Sequence, residues 1–263
     1  MAKFCTLCSS SSGNSAYIGA GSTGVLIDAG VSCRRLLDAM DASGIDPASV
    51  RAVFITHEHA DHVQGLRVFA SRMRVPVYAT PGTLEKLVGM GCLNGVADAR
   101  VIPPEGAAAG DLLIRAFATH HDSAQSCGYT IDLPDERRVS VLTDTGTVDE
   151  EMYRALRGSD LVLLETNHDP RMLIEGPYPY PLVRRILSEN GHLSNQQGAA
   201  AAVRLVLGGA TRLVLGHLSE HNNLPELAYA AVYDALCGVG AVRGTDYLVD
   251  VAPARTPGKV MVL

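Results

Sequence analysis

Phe54-Ile55-Thr56-His57-Glu58-His59-Ala60-Asp61-His62 is the point where an apolar run turns into a cluster of metal-binding side chains. The run Ala52 to Ile55 reads as a buried strand, and four potential ligands, His57, His59, Asp61 and His62, follow within six residues. Where the chain leaves the strand still extended, residues two apart point the same way, so His57 and His59 face one ion. A helical turn starting at Val63 would throw Asp61 and His62 toward a second ion. The whole chain holds nine histidines, so three of them in one short loop argue for a metal site over a merely polar turn.

Strand and helix patterns extend from this loop in both directions. Residues 3–8, 14–20 and 23–28 form a meander of short strands between Ser/Gly clusters. The joining loop Ser9-Ser10-Ser11-Ser12-Gly13-Asn14-Ser15 is either a flexible connection or, through its hydroxyls, N–H groups and Asn14, an anion-binding wall. Asp28 ends the third strand, where it is either a turn former or a carboxylate that orients ligands from behind. Ser32 caps a helix to Met40, a second helix spans Val63 to Met73, a strand covers Val75 to Ala79, and Pro81 opens a helix to Gly89. Residues 93–110 read as an irregular crossing.

From Asp111 the pattern repeats. Strands are expected over Leu112 to Ala118, Cys127 to Leu133 and Val139 to Thr143. Helices at 148–157, 179–188, 194–207 and 223–237 then alternate with strands at 160–165 and 212–216. Two similar β-then-α halves facing each other predict an α/β fold, a four-layer αββα sandwich, with residues 1–263 as a single domain.

The second half supplies the remaining ligand candidates. His121, Asp144 and His217 each fall at the end of a predicted strand, so all three emerge at one sheet edge. His120 is the alternative to its neighbour, because strand alternation puts the two on opposite faces. Polar islands also stand at Glu165-Thr166-Asn167-His168-Asp169 and Gly191-His192-Leu193-Ser194-Asn195, where His192 by itself reads as a helix-entry residue with Ser194 or Asn195 as the cap. Arg184 and Arg185, beside Tyr178 and Tyr180, form either a phosphate and base contact or a solvated helix face.

Composition limits the function classes. A hydrophobic content of 47% with 19% charged residues is globular, and no apolar run nears the ~20 residues of a membrane span. The N-terminus lacks a basic-then-apolar leader, which predicts a cytoplasmic protein. Six scattered cysteines suit reduced thiols, and Cys5-x-x-Cys8, with no second such pair, reads as buried small residues. The net charge of -6 argues against a protein that coats nucleic acid but not against a nuclease, whose bound cations supply local positive charge.

The pattern His57-x-His59-x-Asp61-His62 after a strand resembles the metallo-β-lactamase superfamily of hydrolases. That resemblance implies one ion on His57, His59 and His121, a second on Asp61, His62 and His217, and Asp144 bridging them. Glu165 and Gly191-His192-x-Ser194 resemble the tRNA 3′-processing endonuclease branch, which makes Glu165 and His192 a candidate acid pair. The motifs Ser9 to Asn14, His57 to His62, His121-Asp122-Ser123-Ala124, Glu165 to Asp169, Tyr178 to Ser188 and His217 to Asn223 are together similar to the WalJ (YycJ) family of exonucleases.

What this implies is a cytoplasmic phosphodiesterase with two divalent ions (zinc or manganese, with iron also accommodated by such ligands), acting 5′→3′ on DNA with a part in DNA repair. Asp61 doubles as acceptor of the water proton, and Asn14, Arg184 and Arg185 meet the substrate. Competing readings are a lactonase or glyoxalase-type ester hydrolase, an endonuclease of the tRNA-processing kind, and a DNA-binding scaffold with a relic site.

Overall fold

The computed structural model describes residues 1–263. Its first half runs β1 (Ala2–Ser10), β2 (Gly13–Ala20), β3 (Thr23–Ile27), α1 (Cys33–Ala42), β4 (Val50–Phe54), α2 (Ala60–Val63), α3 (Leu66–Met73), β5 (Val77–Ala79), α4 (Pro81–Gly89) and β6 (Ala99–Val101). The second half runs β7 (Ala107–Ala109), β8 (Leu112–Ala118), β9 (Cys127–Asp132), β10 (Arg138–Leu142), α5 (Glu150–Leu156), β11 (Leu161–Glu165), α6 (Pro170–Glu175), α7 (Tyr180–Ile186), α8 (Asn195–Leu207), β12 (Arg212–Gly216), α9 (Pro225–Gly238), β13 (Leu248–Val251) and β14 (Met261–Val262).

These strands make two seven-stranded sheets, ordered β14-β1-β2-β3-β4-β5-β6 and β13-β12-β11-β10-β9-β8-β7. In each, an antiparallel meander leads into parallel strands: β3 to β6 in one, β10 to β13 in the other. The inner parallel strands β4, β5, β11 and β12 are largely buried on both faces, and their alternate residues feed different cores, whereas the edge strand β6 is exposed. Ala52 and Phe54 of β4 point into the core between the sheets, while Val53 and the following Ile55 pack under α1 and α3. Leu161 and Leu163 of β11 join the same central core from the other side, while Val162 and Leu164 pack under α8 and α9. Three cores separating four layers give the αββα sandwich expected from the sequence.

Three local expectations change. The helix expected over Val63 to Met73 is two, broken at Gly65, where a Cβ would overlap the carbonyl oxygen of Val31 and where the N–H bonds Ala29 O at 2.8 Å. The first of them begins at Ala60, so Asp61 and His62 lie inside its single turn and not ahead of it. The crossing at 93–110 contains the edge strands β6 and β7, one for each sheet. Finally, β14 returns from the second half to pair with β1, through Lys3 with Val262 and Phe4 with Met261, so the chain's end ties the halves together.

Candidate metal centre

All the candidate ligands converge where the parallel strands of the two sheets end. The sheets are joined there: Tyr129 of β9 donates its hydroxyl to Ile55 O at 2.7 Å, and Cys127 N donates to Thr56 O at 3.1 Å. Residues at three strand ends adopt positive φ despite carrying side chains, Asp28 at 62°, Asp144 at 59° and His217 at 55°. Such left-handed backbone costs on the order of 1 kcal/mol or more per residue and persists where the surroundings enforce it. Here it turns one carboxylate behind the cluster and one carboxylate and one imidazole into it.

Four overlapping sets of donor atoms result, one of them made by Asp144, Glu165, His192 and His217. Ring nitrogens of His57, His59 and His121 form another, and Asp61, His62 and His217 form a third, with the atoms of each set within 4.8 Å of one another; in the fourth, Asp144 stands with His57 and His62. Its Oδ1 lies 3.1 Å from His217 Nε2 and its Oδ2 lies 3.2 Å from His62 Nε2. His59 Nδ1 and His121 Nε2 are 3.3 Å apart.

The structure tests this arrangement as a metal site through its orphaned atoms. His57 Nε2 and Asp144 Oδ2 are buried with no hydrogen-bond partner, although unpaired buried polar atoms are costly. A divalent ion satisfies both, and five imidazoles with two carboxylates are a donor set that suits one.

The opposite ring nitrogens show which lone pairs face inward. Thr56 anchors two histidines at once: its N–H and Oγ1–H both donate to Asp28 at 2.8 Å, and its Oγ1 accepts His57 Nδ1–H at 3.1 Å. Asp28 also accepts His62 Nδ1–H at 2.8 Å. His121 Nδ1–H donates to Gly191 O at 3.0 Å, and His217 Nδ1–H to Asn14 Oδ1 at 3.1 Å. Each bond fixes a tautomer whose free nitrogen points into the cluster.

Electrostatics separate His57 and His121 from His62 and His217. Burial, assisted by the charge on His62, holds His57 well below the ordinary histidine range, and burial lowers His121 as well. Burial acts the same way on His62 and His217, but carboxylates outweigh it: Asp144, Asp61 and Asp28 raise His62 well above its ordinary value, and Asp144 raises His217 to about 9. Burial opposes ionisation of Asp144 and Asp61, yet the imidazolium groups beside them win and hold both below the usual carboxylate range. Asp28, in contrast, is pushed up by burial.

The other sequence candidates fall into place around this centre. His121 faces the cluster, whereas half-exposed His120 pairs with Asp149 at 2.7 Å, which resolves the choice between them. Glu165 is fully buried and accepts His192 Nδ1–H at 2.7 Å, and Ser194 caps the helix that follows, so the structure places the His192 ring on a buried carboxylate beside the cluster.

Asn14, read as a substrate contact, is corrected: it is buried, and its amide spans Ser10 O, Asp61 Oδ2 and His62 Nε2 besides His217, leaving nothing to offer a substrate. Arg184 is exposed and stands outside the cavity at the centre. Arg185, in contrast, lines that cavity of about 400 Å³ with His59, Asp144, His192 and Tyr178, and forms a two-toothed ion pair with Asp122. Ser9, whose loop reads in sequence as either a flexible connection or an anion-binding wall, accepts His217 N–H on its Oγ at 2.9 Å, while nothing local distinguishes Thr56 and the Gly191 carbonyl as site components.

Comparison with known proteins agrees with this geometry. Residues 23–218 match the model of the beta-lactamase superfamily domain. Exodeoxyribonuclease WalJ of Streptococcus pneumoniae is 34% identical over 255 residues, covering 95% of this chain and 94% of its own. Exodeoxyribonuclease YycJ of Bacillus anthracis is 32% identical over 262 residues, covering 98% and 97%. Among solved structures, the metallo-beta-lactamase fold protein YhfI from Bacillus subtilis superposes with a TM-score of 0.72 at 16% identity, covering 98% of this chain and 99% of that one. The chain belongs to the beta-lactamase superfamily and, within it, to the family of the WalJ and YycJ exodeoxyribonucleases.

Proposed function

We propose that this chain is a metal-dependent exodeoxyribonuclease that removes nucleotides from the 5′ end of DNA, with residues 1–263 acting as one hydrolase domain. The observation that carries the reading is the 32–34% identity, over nearly the full length, to two exodeoxyribonucleases, in a chain whose five histidines and two aspartates converge on one cavity. The proposal includes a cytoplasmic setting and a part in DNA repair; no helix is long and apolar enough to cross a membrane.

In this proposal His57, His59 and His121 hold one divalent ion, Asp61, His62 and His217 hold a second, and Asp144 is shared. Zinc and manganese both suit these ligands, and iron is also accommodated. Such ions, when bound, lower the pKa of water and offset the negative charge that builds on phosphorus. Asp61 lies at the cavity wall with a carboxylate held ionised, so it can take the proton of the attacking water. His192 delivers a proton to the departing 3′-oxygen, and Glu165 holds the ring so that Nε2 is the nitrogen left to do so. Arg185 and Tyr178 border the cavity as a phosphate partner and a base platform. Incubating the metal-loaded protein with DNA, a lactone and a thioester tests the reading: hydrolysis of DNA supports it, and turnover of either small ester with none of DNA refutes it.

A further inference from the structure

A second cleft, of about 570 Å³, adjoins the catalytic cavity and shares Ser11, Ala60 and Asp61 with it. The size is that of a pocket for a small organic ligand. Its far side is made by Arg67 and Gln64 from the α2–α3 segment and by Met90 and Cys92 after α4. Arg67 is exposed and makes no ion pair, unlike Arg185, whose guanidinium is already engaged by Asp122. Met90 presents 52% of its surface to solvent. An unpaired guanidinium sharing this wall with exposed apolar Met90 fits a unit that carries an anion and a flat, weakly polar face, which describes a nucleotide.

We infer that this cleft seats the retained strand, the nucleotides on the 3′ side of the bond being cut, with Arg67 holding a backbone phosphate beyond the scissile one. The inference rests on the proposed exonuclease reading and adds a direction to it. His192 lines the first cavity and not the second, so the leaving 3′-oxygen and the nucleotide it belongs to occupy the Tyr178 and Arg185 side. The scissile phosphate sits at the shared wall beside Asp61, and the strand that stays bound continues into the cleft of Arg67. Nothing on the leaving-group side reaches Arg67, so its contribution depends on how much strand follows the cut.

Two measurements on the metal-loaded protein test this. The first compares steady-state cleavage of a 5′-phosphorylated dinucleotide, which has no phosphate beyond the scissile one, with that of a single-stranded 12-mer. R67E should raise KM for the 12-mer about tenfold more than for the dinucleotide, and R67A should do so in the same direction while flattening the salt dependence of KM by about one phosphate's worth, a slope of ~0.7. The second reads alkylation of Cys92 by iodoacetamide at the peptide level, with a cleavage-resistant phosphorothioate 12-mer present or absent. Cys92 should react several-fold more slowly with the oligonucleotide present, while exposed Cys237 on α9 serves as the unprotected reference. A penalty of equal size on both substrates, or Cys92 reacting at the same rate in both conditions, overturns the inference alone. A wild-type protein that neither binds nor cleaves the 12-mer overturns the exonuclease reading and the inference with it.

Discussion

Glu165 clamps His192 from beneath: Oε1 of the carboxylate accepts the imidazole Nδ1–H at 2.7 Å while Oε2 accepts the Thr145 N–H at 3.0 Å. Both oxygens are engaged, the carboxylate is fully buried, and the ring it holds borders the cavity with His217 and Asp144. In the proposed reading an imidazole so held gives up its proton from Nε2 and regains one from solvent.

Replacement of His192 by Ala should therefore penalise poor leaving groups selectively. General-acid assistance is worth about 10²–10⁴-fold for an alkoxide, and far less for nitrophenolate. DNA cleavage should fall within that range, the bis-nitrophenyl phosphodiester should lose much less, and the bound metal measured by emission spectrometry should match wild type. Equal losses on both substrates with metal retained would remove the proton-donor role.

Asp28→Asn should weaken metal binding without touching a ligand. The carboxylate accepts three donors, Thr56 N–H, Thr56 Oγ1–H and His62 Nδ1–H, and an amide can accept from only part of that set while presenting a donor to the rest. The His62 tautomer is then no longer enforced. Loss of such an orienting partner typically costs 10–100-fold in metal affinity. Competition with a fluorescent chelator measures it, and unchanged affinity for both ions would show that Asp28 is dispensable.

Metal uptake should release protons. In the metal-free protein His217, raised to about 9, and His62, raised well above its ordinary value, each hold a proton near neutral pH that an ion must displace. Apparent affinity at the Asp61, His62 and His217 set should accordingly fall as pH drops below about 9, whereas His57 and His121, held low, bind without that cost until more acidic pH. Titration calorimetry at pH 7.5 in buffers of different ionisation heat should find about one proton lost from each of His62 and His217. Buffer-independent heats would contradict the assignment.

Gly30→Ala should damage the centre from a position that carries no ligand. A Cβ there would overlap the carbonyl oxygen of Asp61 and crowd Asn14 N, two backbone segments that cannot both retreat. Overpacking of this kind costs about 1–3 kcal/mol. Chemical denaturation should show that loss together with reduced metal content, and a variant with wild-type values in both would mean the loop yields freely.

Much of this was legible from the chain alone, for reasons that can be stated. His57 to His62 follow a run of buried strand, and His121, Asp144 and His217 each come just after the end of another strand, so strand-end position brought these residues together before any contact was known. The αββα layering was readable because the β-then-α order occurs twice. What stayed hidden depends on distant partners. Asn14 looked like a substrate contact since its loop is serine-rich, but its burial against Asp61, His62 and His217 is a tertiary fact. Thr56 sits in the motif itself yet acts through Asp28, twenty-eight residues away in the chain. The two-residue strand β14 is too short to have a period, and at the helix break the Gly65 N–H bonds Ala29 O, a partner far away in the chain. Arg184 and Arg185 were indistinguishable in sequence; as neighbours on α7 they point about 100° apart around the helix, and only Arg185 lines the cavity.

The most direct test of the exonuclease reading follows the label on a DNA end. Single strands and duplexes carrying ³²P on the 5′ phosphate, or on the 3′ end, are incubated with the metal-loaded protein and with an Asp144→Ala variant. The account predicts that 5′ label appears as mononucleotide from the earliest time points, that 3′ label stays in progressively shorter fragments, and that the variant releases neither. Release of 3′ label first, internal fragments with intact ends, or equal release by the Asp144 variant would contradict it.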